Sequence, residues 1–291
     1  MEIRLLLMPK PEKNGWFAPE FKDSLNDQQL QEFIEANSII EEFVNLKRLL
    51  DCVMNNSNEI TVYRNSICDN LLEDFKNGNL PTRDKADKIY SNFNRLFLNY
   101  LSSTRTFVDH CETYISRKFR EDSSKIISFK SFCSYHYDNS FSYRFFCHLR
   151  NYSQHCGFPI ERIPFNTLFG VDNELYGELK VLFDRDKLLR TYDWKPILKK
   201  DIAKMDTEFD LTPLLKENES HYLDIENKTE KLLKDTFLNA ADIIWKLTGH
   251  LKSEEKIAII GIDFKFKENG EFDSGKGIVV PFDKIEAIQK I

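Results

Sequence analysis

Residues 84–119, DKADKIYSNFNRLFLNYLSSTRTFVDHCETYISRKF, decide the fold. Their apolar positions Ile89, Phe93, Leu96, Phe97, Tyr100, Leu101, Phe107, Cys111, Tyr114 and Ile115 recur with the helical period, which predicts one helix of about thirty-five residues, or two with a bend. Pro81-Thr82-Arg83-Asp84 supplies its start. A helix with one long apolar stripe must bury that stripe against other elements, so this segment reads as the spine of a bundle.

Upstream, Phe33, Ile39, Ile40, Phe43, Leu46 and Leu50 give Leu25 to Val53 the same period, with Asn26 or Asp27 as its cap. The polar tract Asn55-Asn56-Ser57-Asn58 predicts an end there. Glu59 to Tyr63 reads as a short strand, and Ser66 to Phe75 as a second helix stopping at Asn77-Gly78-Asn79. Downstream, a helix is predicted from Asn139-Ser140 to Gly157 and Pro159, and another from Pro213 to about Leu251. From Ile160 to Trp194 the pattern shifts to short strands and turns, including Leu179 to Phe183. Lys256 to Val280 alternates around Asn269-Gly270, a hairpin signal. The expected fold is mainly α, a helical bundle with a small β insertion at 160–195 and a C-terminal β hairpin, α+β overall. The expected divisions are an N-terminal helical or extended segment (1–63), a helical domain (64–252) and the hairpin segment (253–291).

The 291 residues make one large domain or two ordinary ones, and 41% hydrophobic with 30% charged residues is a globular composition. Met1 to Met8 is the longest approach to a membrane segment, but Glu2 and Arg4 interrupt it and no signal-peptide pattern follows, so a cytoplasmic protein without membrane contact is expected. Six cysteines scattered without pairs read as reduced and mostly buried. The net charge of −6 excludes a uniformly basic nucleic-acid binder, so any such surface must be local. Residues 105–155 supply one: eight basic against five acidic residues make this stretch +3.

The chemistry concentrates in Ser140-Phe-Ser-Tyr-Arg-Phe-Phe-Cys-His-Leu-Arg-Asn-Tyr-Ser-Gln-His-Cys-Gly-Phe-Pro159. On a helix Phe141, Phe145, His148, Leu149, Tyr152 and Cys156 share a core face, while Tyr143 and Phe146 point to the far side. Two aromatic faces predict cover on both, from another part of the chain or from a partner subunit. Asn151 and His155 stack along one flank, and Arg150 leads about 140 degrees away from His155.

Arg150-Asn151-Tyr-Ser-Gln-His155, late in a helix of a helical region, resembles the R-N-x-x-x-H motif of the HEPN superfamily. Leu149 to Ile160, and upstream Asn99 to Arg105 with Asp109-His110, resemble bacterial HEPN proteins of uncharacterised or defence-related type. The resemblance covers about residues 64–250. It implies a helical bundle, a composite site in a homodimer, RNA as substrate, and a hydrolase that cuts it without metal or other cofactor. Arg150, Asn151 and His155 are the implied catalytic set; Arg144, Tyr152, Gln154 and Arg105 are candidates for substrate binding. The resemblance further implies a toxin or antiphage (abortive-infection) effector, with a cognate antitoxin or regulatory partner. The residue types suit the chemistry: the 2'-hydroxyl of RNA attacks the adjacent phosphate, a histidine moves the proton, and a forked, permanently charged arginine stabilises the phosphorane. Alternatives from other classes are a non-catalytic RNA-binding or sensor module and a structural interaction protein.

Other features read more plainly. Arg105 to His110 repeats the spacing without the Asn and supports the spine helix. Cys133, His136, Cys147, His148, His155 and Cys156 match no zinc-finger spacing, so no metal site is assigned. The run from Phe129 to Tyr143 reads as core or subunit interface rather than a base-stacking platform. Asp263 to Gly270 lacks calcium-loop ligands and reads as hairpin.

Overall fold

A computed structural model gives the fold, and the structure describes residues 2–9, 19–170, 173–266, 268 and 272–291. Strands β1 (Ile3–Pro9) and β2 (Glu20–Ser24) precede four helices, α1 (Asp27–Lys76), α2 (Arg83–Lys118), α3 (Ser123–Asn139) and α4 (Phe141–His155). Next come β3 (Phe165–Phe169), β4 (Leu175–Leu179), β5 (Leu182–Asp184), α5 (Arg185–Thr191), α6 (Pro196–Ala203) and β6 (Glu208–Asp210). The chain closes with α7 (Leu211–Thr248), a 3-10 turn at Gly249–Leu251, β7 (Lys256–Phe266), β8 (Phe272–Val279) and α8 (Phe282–Ile288). The protein is mainly helical with small antiparallel sheets, as the periodicities predict. Among the described residues no helix is long and apolar enough to cross a membrane.

The spine is one helix. Thr82 caps α2 by accepting the Lys85 N–H at 3.3 Å, and nine of the predicted stripe positions, Ile89 to Ile115 without Tyr114, are buried. The reading of the preceding segment is corrected: α1 runs unbroken from Asp27 to Lys76 through the expected break and the expected strand. Val53, Ser57 and Ile60 are buried at helical spacing while Asn55 and Asn58 face solvent, so the polar tract is largely the outer face of a helix. Burial of Ile60 on that face overrides the local preference of a β-branched run.

Two compact units divide the chain, residues 1–45 with 230–291, and residues 46–229. These boundaries fall inside the continuous helices α1 and α7. The first unit holds a four-stranded antiparallel sheet of order β2-β1-β7-β8. The apolar N-terminal run becomes an inner strand, β1, in register with β7 from Ile3↔Ile262 to Pro9↔Lys256. The hairpin strands β7 and β8 form as predicted, while Asn269-Gly270 lie outside the described residues. Asp263 accepts the Glu2 backbone N–H at 2.8 Å, an intrasheet role for the carboxylate. Ile285 and Ile288 of α8 are buried, and Phe43 of α1 meets Phe237 of α7 edge-on.

The second unit contains α2, α3 and α4, with the adjoining portions of α1 and α7. Its β elements are the β3–β4 hairpin and the β5–β6 pair. The insertion expected at 160–195 therefore exists, but it also includes α5, and the single strand expected from Leu179 to Phe183 is divided between β4 and β5.

Candidate functional site

Helix α4 begins with a satisfied cap. The Ser140 hydroxyl accepts the Tyr143 N–H at 3.2 Å and donates to Glu217 at 2.8 Å. Its aromatic faces are both covered by this chain, which answers the alternative of a partner subunit. Phe145 packs edge-on against Phe183, with ring centres 5.4 Å apart, and Phe146 packs against Phe97 of α2 at 5.5 Å. Tyr143 lies against His221 and Tyr222 of α7, and Tyr152 stacks on Trp194 at 5.7 Å. The helix stops at Gly157, whose φ of +113° only glycine adopts without strain.

The structure encloses two of the residues expected to bind substrate. Arg144 is buried, with one guanidinium nitrogen on Asp201 at 2.7 Å and another on the Tyr137 carbonyl oxygen, so its charge is already neutralised inside the fold. Tyr152 is 1% exposed, and its hydroxyl accepts from Thr191 Oγ1 at 3.2 Å. An arginine and a tyrosine on an aromatic helix look available in sequence; burial decides otherwise.

The remaining candidates sit differently. Asn151, Gln154 and His155 are exposed on the last turn and a half of α4, and none has a side-chain hydrogen bond or ion pair among the described residues. Arg150 is half-buried, and its Nε is sealed from solvent without a hydrogen-bond partner. It faces a cavity of about 30 Å³, shared with Arg105 and Thr104 of α2 and Tyr222 of α7. That volume holds about one water molecule. Two arginines separated by 45 positions in sequence thus line one small space. Arg105 is exposed and clamped in a two-pronged pair by Asp109, with both contacts at 2.8 Å. The regular helix keeps His155 and Arg150 on different faces, so one chain does not bring imidazole and guanidinium together.

Beyond Arg105, the solvent face of α2 forms a shallow concavity of about 640 Å³ bearing Arg117 and Arg120 beside Asp109 and Glu112. One cation of the positive balance read from the sequence is neutralised inside the fold, Arg144 by Asp201, while the exposed pairs Arg105–Asp109 and Lys130–Glu112 join charges already counted on both sides.

The scattered histidines and cysteines have separate roles. Burial pushes the Cys133 and Cys147 thiols up to about 12 and about 11, leaving both protonated. His148 Nε2 meets the Tyr137 hydroxyl at 2.8 Å. His136 and His221 share a 2.8 Å hydrogen bond between their Nδ1 atoms, and each has a buried Nε2 without a hydrogen-bond partner, that of His221 lying 3.8 Å from the Glu217 carboxylate. Burial lowers the proton affinity of His136, His148 and His221. The His136–His221 pair joins helices 85 positions apart, and no local pattern announces it. Among the described residues, no three His, Cys, Asp or Glu side chains cluster as a metal site. The chain matches no protein-family model, no curated protein and no solved structure.

Proposed function

We propose that the protein is a metal-independent endoribonuclease of the HEPN type, acting as a cytoplasmic homodimer in which two Arg150/Asn151/His155 sets face one groove. One observation carries this reading. The first turns of α4 are saturated with internal contacts, whereas Asn151 and His155 at its end are left without partners and the Arg150 Nε is buried beside a cavity unpaired. The buried Arg150 Nε is costly unless water or a ligand engages it, and Asn151 and His155, open to solvent, are free to meet that ligand.

In the proposed reaction, His155 removes the proton of the ribose 2'-hydroxyl as its oxygen bonds to phosphorus. The bond to the 5'-oxygen breaks, and that oxygen takes a proton, supplied by the second His155 of the dimer. Arg150 bears the charge that develops on the phosphorane, and Asn151 orients the imidazole or the phosphate. Products are a 2',3'-cyclic phosphate and a 5'-hydroxyl. Arg105 assists at the phosphate once it exchanges Asp109 for the substrate. Gln154 faces solvent on the same turn as His155, where it contacts the RNA. The biological role is that of a toxin or antiphage effector, held silent by a partner or trigger.

The test is RNA cleavage by purified protein at substoichiometric concentration in EDTA, together with growth arrest on overexpression. Both are expected for the wild-type chain and neither for His155→Ala; cleavage retained in His155→Ala overturns the assignment. A second reading, a non-catalytic RNA-binding module, draws on the Asp109 clamp on Arg105 and on the separation of Arg150 from His155 within one chain. It predicts stoichiometric RNA binding with no turnover.

A further inference from the structure

Away from α4's catalytic candidates, the second unit contains a cavity of about 610 Å³, within the range that holds a drug-sized molecule. Its inner wall is made by Leu71 of α1, Ile89 of α2 and Leu179 of β4, all buried, so the space reaches down to the core. Its mouth is formed by Phe75 and by Leu80, which is 83% exposed in the turn between α1 and α2. Exposed Phe75 and Leu80 continue the apolar lining to the surface, and a contiguous apolar patch is what marks a ligand-binding groove.

Contacts outside the cavity hold its walls in place. The Phe165 ring lies across Gly177 of the paired strand, where a Cβ would come within 2.7 Å of it, so glycine there leaves the room the ring takes as one wall. Tyr90, opposite in the lining, packs edge-on against Phe158 at 6.2 Å. A wall braced from behind resists collapse into the empty space, and a site that is already shaped binds without the cost of ordering.

The lining also selects the ligand's charge. Among the described residues it contains no Lys, Arg or His, and Asp87 is the ionisable carboxylate there. An anion such as a phosphate would lose water there and gain no cation. Three aromatic rings, Phe75, Tyr90 and Phe165, line the space for a flat apolar body, while Asn79, Thr167 and the Tyr90 hydroxyl offer a few hydrogen bonds. We propose that this cavity is a binding site for an uncharged aromatic small molecule, chemically distinct from the polar, arginine-bearing site on α4. The proposal stands whether or not the chain cuts RNA.

The test uses two fluorescent probes that share one body and differ in a sulfonate, N-phenyl-1-naphthylamine and 1-anilinonaphthalene-8-sulfonate, titrated into the full chain. Saturable binding of one uncharged probe per chain is expected, with at least tenfold weaker binding of the sulfonate. Ala86→Trp places an indole in the mouth from an exposed position; it should weaken the uncharged probe at least tenfold while the thermal midpoint is unchanged. If that variant does not fold, Leu80→Lys replaces it and should shift the preference toward the sulfonate. His155→Ala should bind as the wild type does, which separates this result from the nuclease test. No saturable binding, equal affinity for both probes, or uncharged-probe affinity unaltered in the folded variant would overturn the proposal.

Discussion

The two ends of α4 obey opposite rules. From Ser140 to Leu149 nearly every side chain is enclosed, and even the charged Arg144 has a carboxylate and a carbonyl waiting for it. From Arg150 onward, buried Tyr152 alternates with Asn151, Gln154 and His155, which are exposed and unpartnered. The same helix holds two arginines six positions apart, and only their surroundings distinguish a structural ion from a candidate catalytic one. The lesson is that residue type nominates a site, whereas the satisfaction of its hydrogen bonds assigns it.

Stability measurements sharpen this contrast. The largest effect belongs to Arg144→Ala, which strands the half-buried Asp201 carboxylate and the Tyr137 carbonyl; a loss of about 3–5 kcal/mol in urea unfolding is expected for breaking a buried pair. A loss under about 1 kcal/mol, the exposed-pair range, would place Arg144 with the free residues and break the comparison. The next effect is pH-dependent. His136, His148 and His221 bind protons less readily in the folded chain than the ordinary value of 6.5, because burial disfavours the charged ring. The unfolded chain therefore takes up protons first as pH falls through 6.5, and stability present above that pH is lost on the way down to the folded values. Thermal midpoints should drop between pH 7.5 and 5.5, and less steeply in His148→Gln, which retains a partner for the Tyr137 hydroxyl. Tyr152→Phe removes the bond from Thr191 and should cost about 1 kcal/mol. The smallest effect is that of His155→Ala, expected within about 0.5 kcal/mol of wild type, as for an exposed side chain without contacts.

How much of this was legible in the sequence depends on the distance over which the deciding interaction acts. The buried stripe of α2 was readable because its periodicity is local and strong. So were the α4 boundaries, set by the Ser140 cap and Gly157. The continuity of α1 was not: Ser57 sits in a tract of asparagines, yet its hydroxyl donates to Glu219, and a polar residue buried by a partner 162 positions away looks like a break. The inner position of β1 depends on β7, some 250 residues later. At the candidate site, Arg150, Asn151 and His155 are nominated by their pattern, and the structure leaves His155 accessible. The enclosure of Arg144 and Tyr152 was not legible because Asp201, Thr191 and Trp194, which surround them, come from a segment whose packing onto α4 has no local signature.

The central claim is that the unpaired end of α4 turns over RNA. Its most direct measurement is the number and chemistry of ends produced per mole of protein from a labelled RNA in EDTA, wild type against folded His155→Ala. The account predicts many cleavages per mole, each with a 2',3'-cyclic phosphate and a 5'-hydroxyl, and a loss of at least about a hundredfold in the variant. Equal cleavage by both proteins, or 3'-hydroxyl ends, would contradict it.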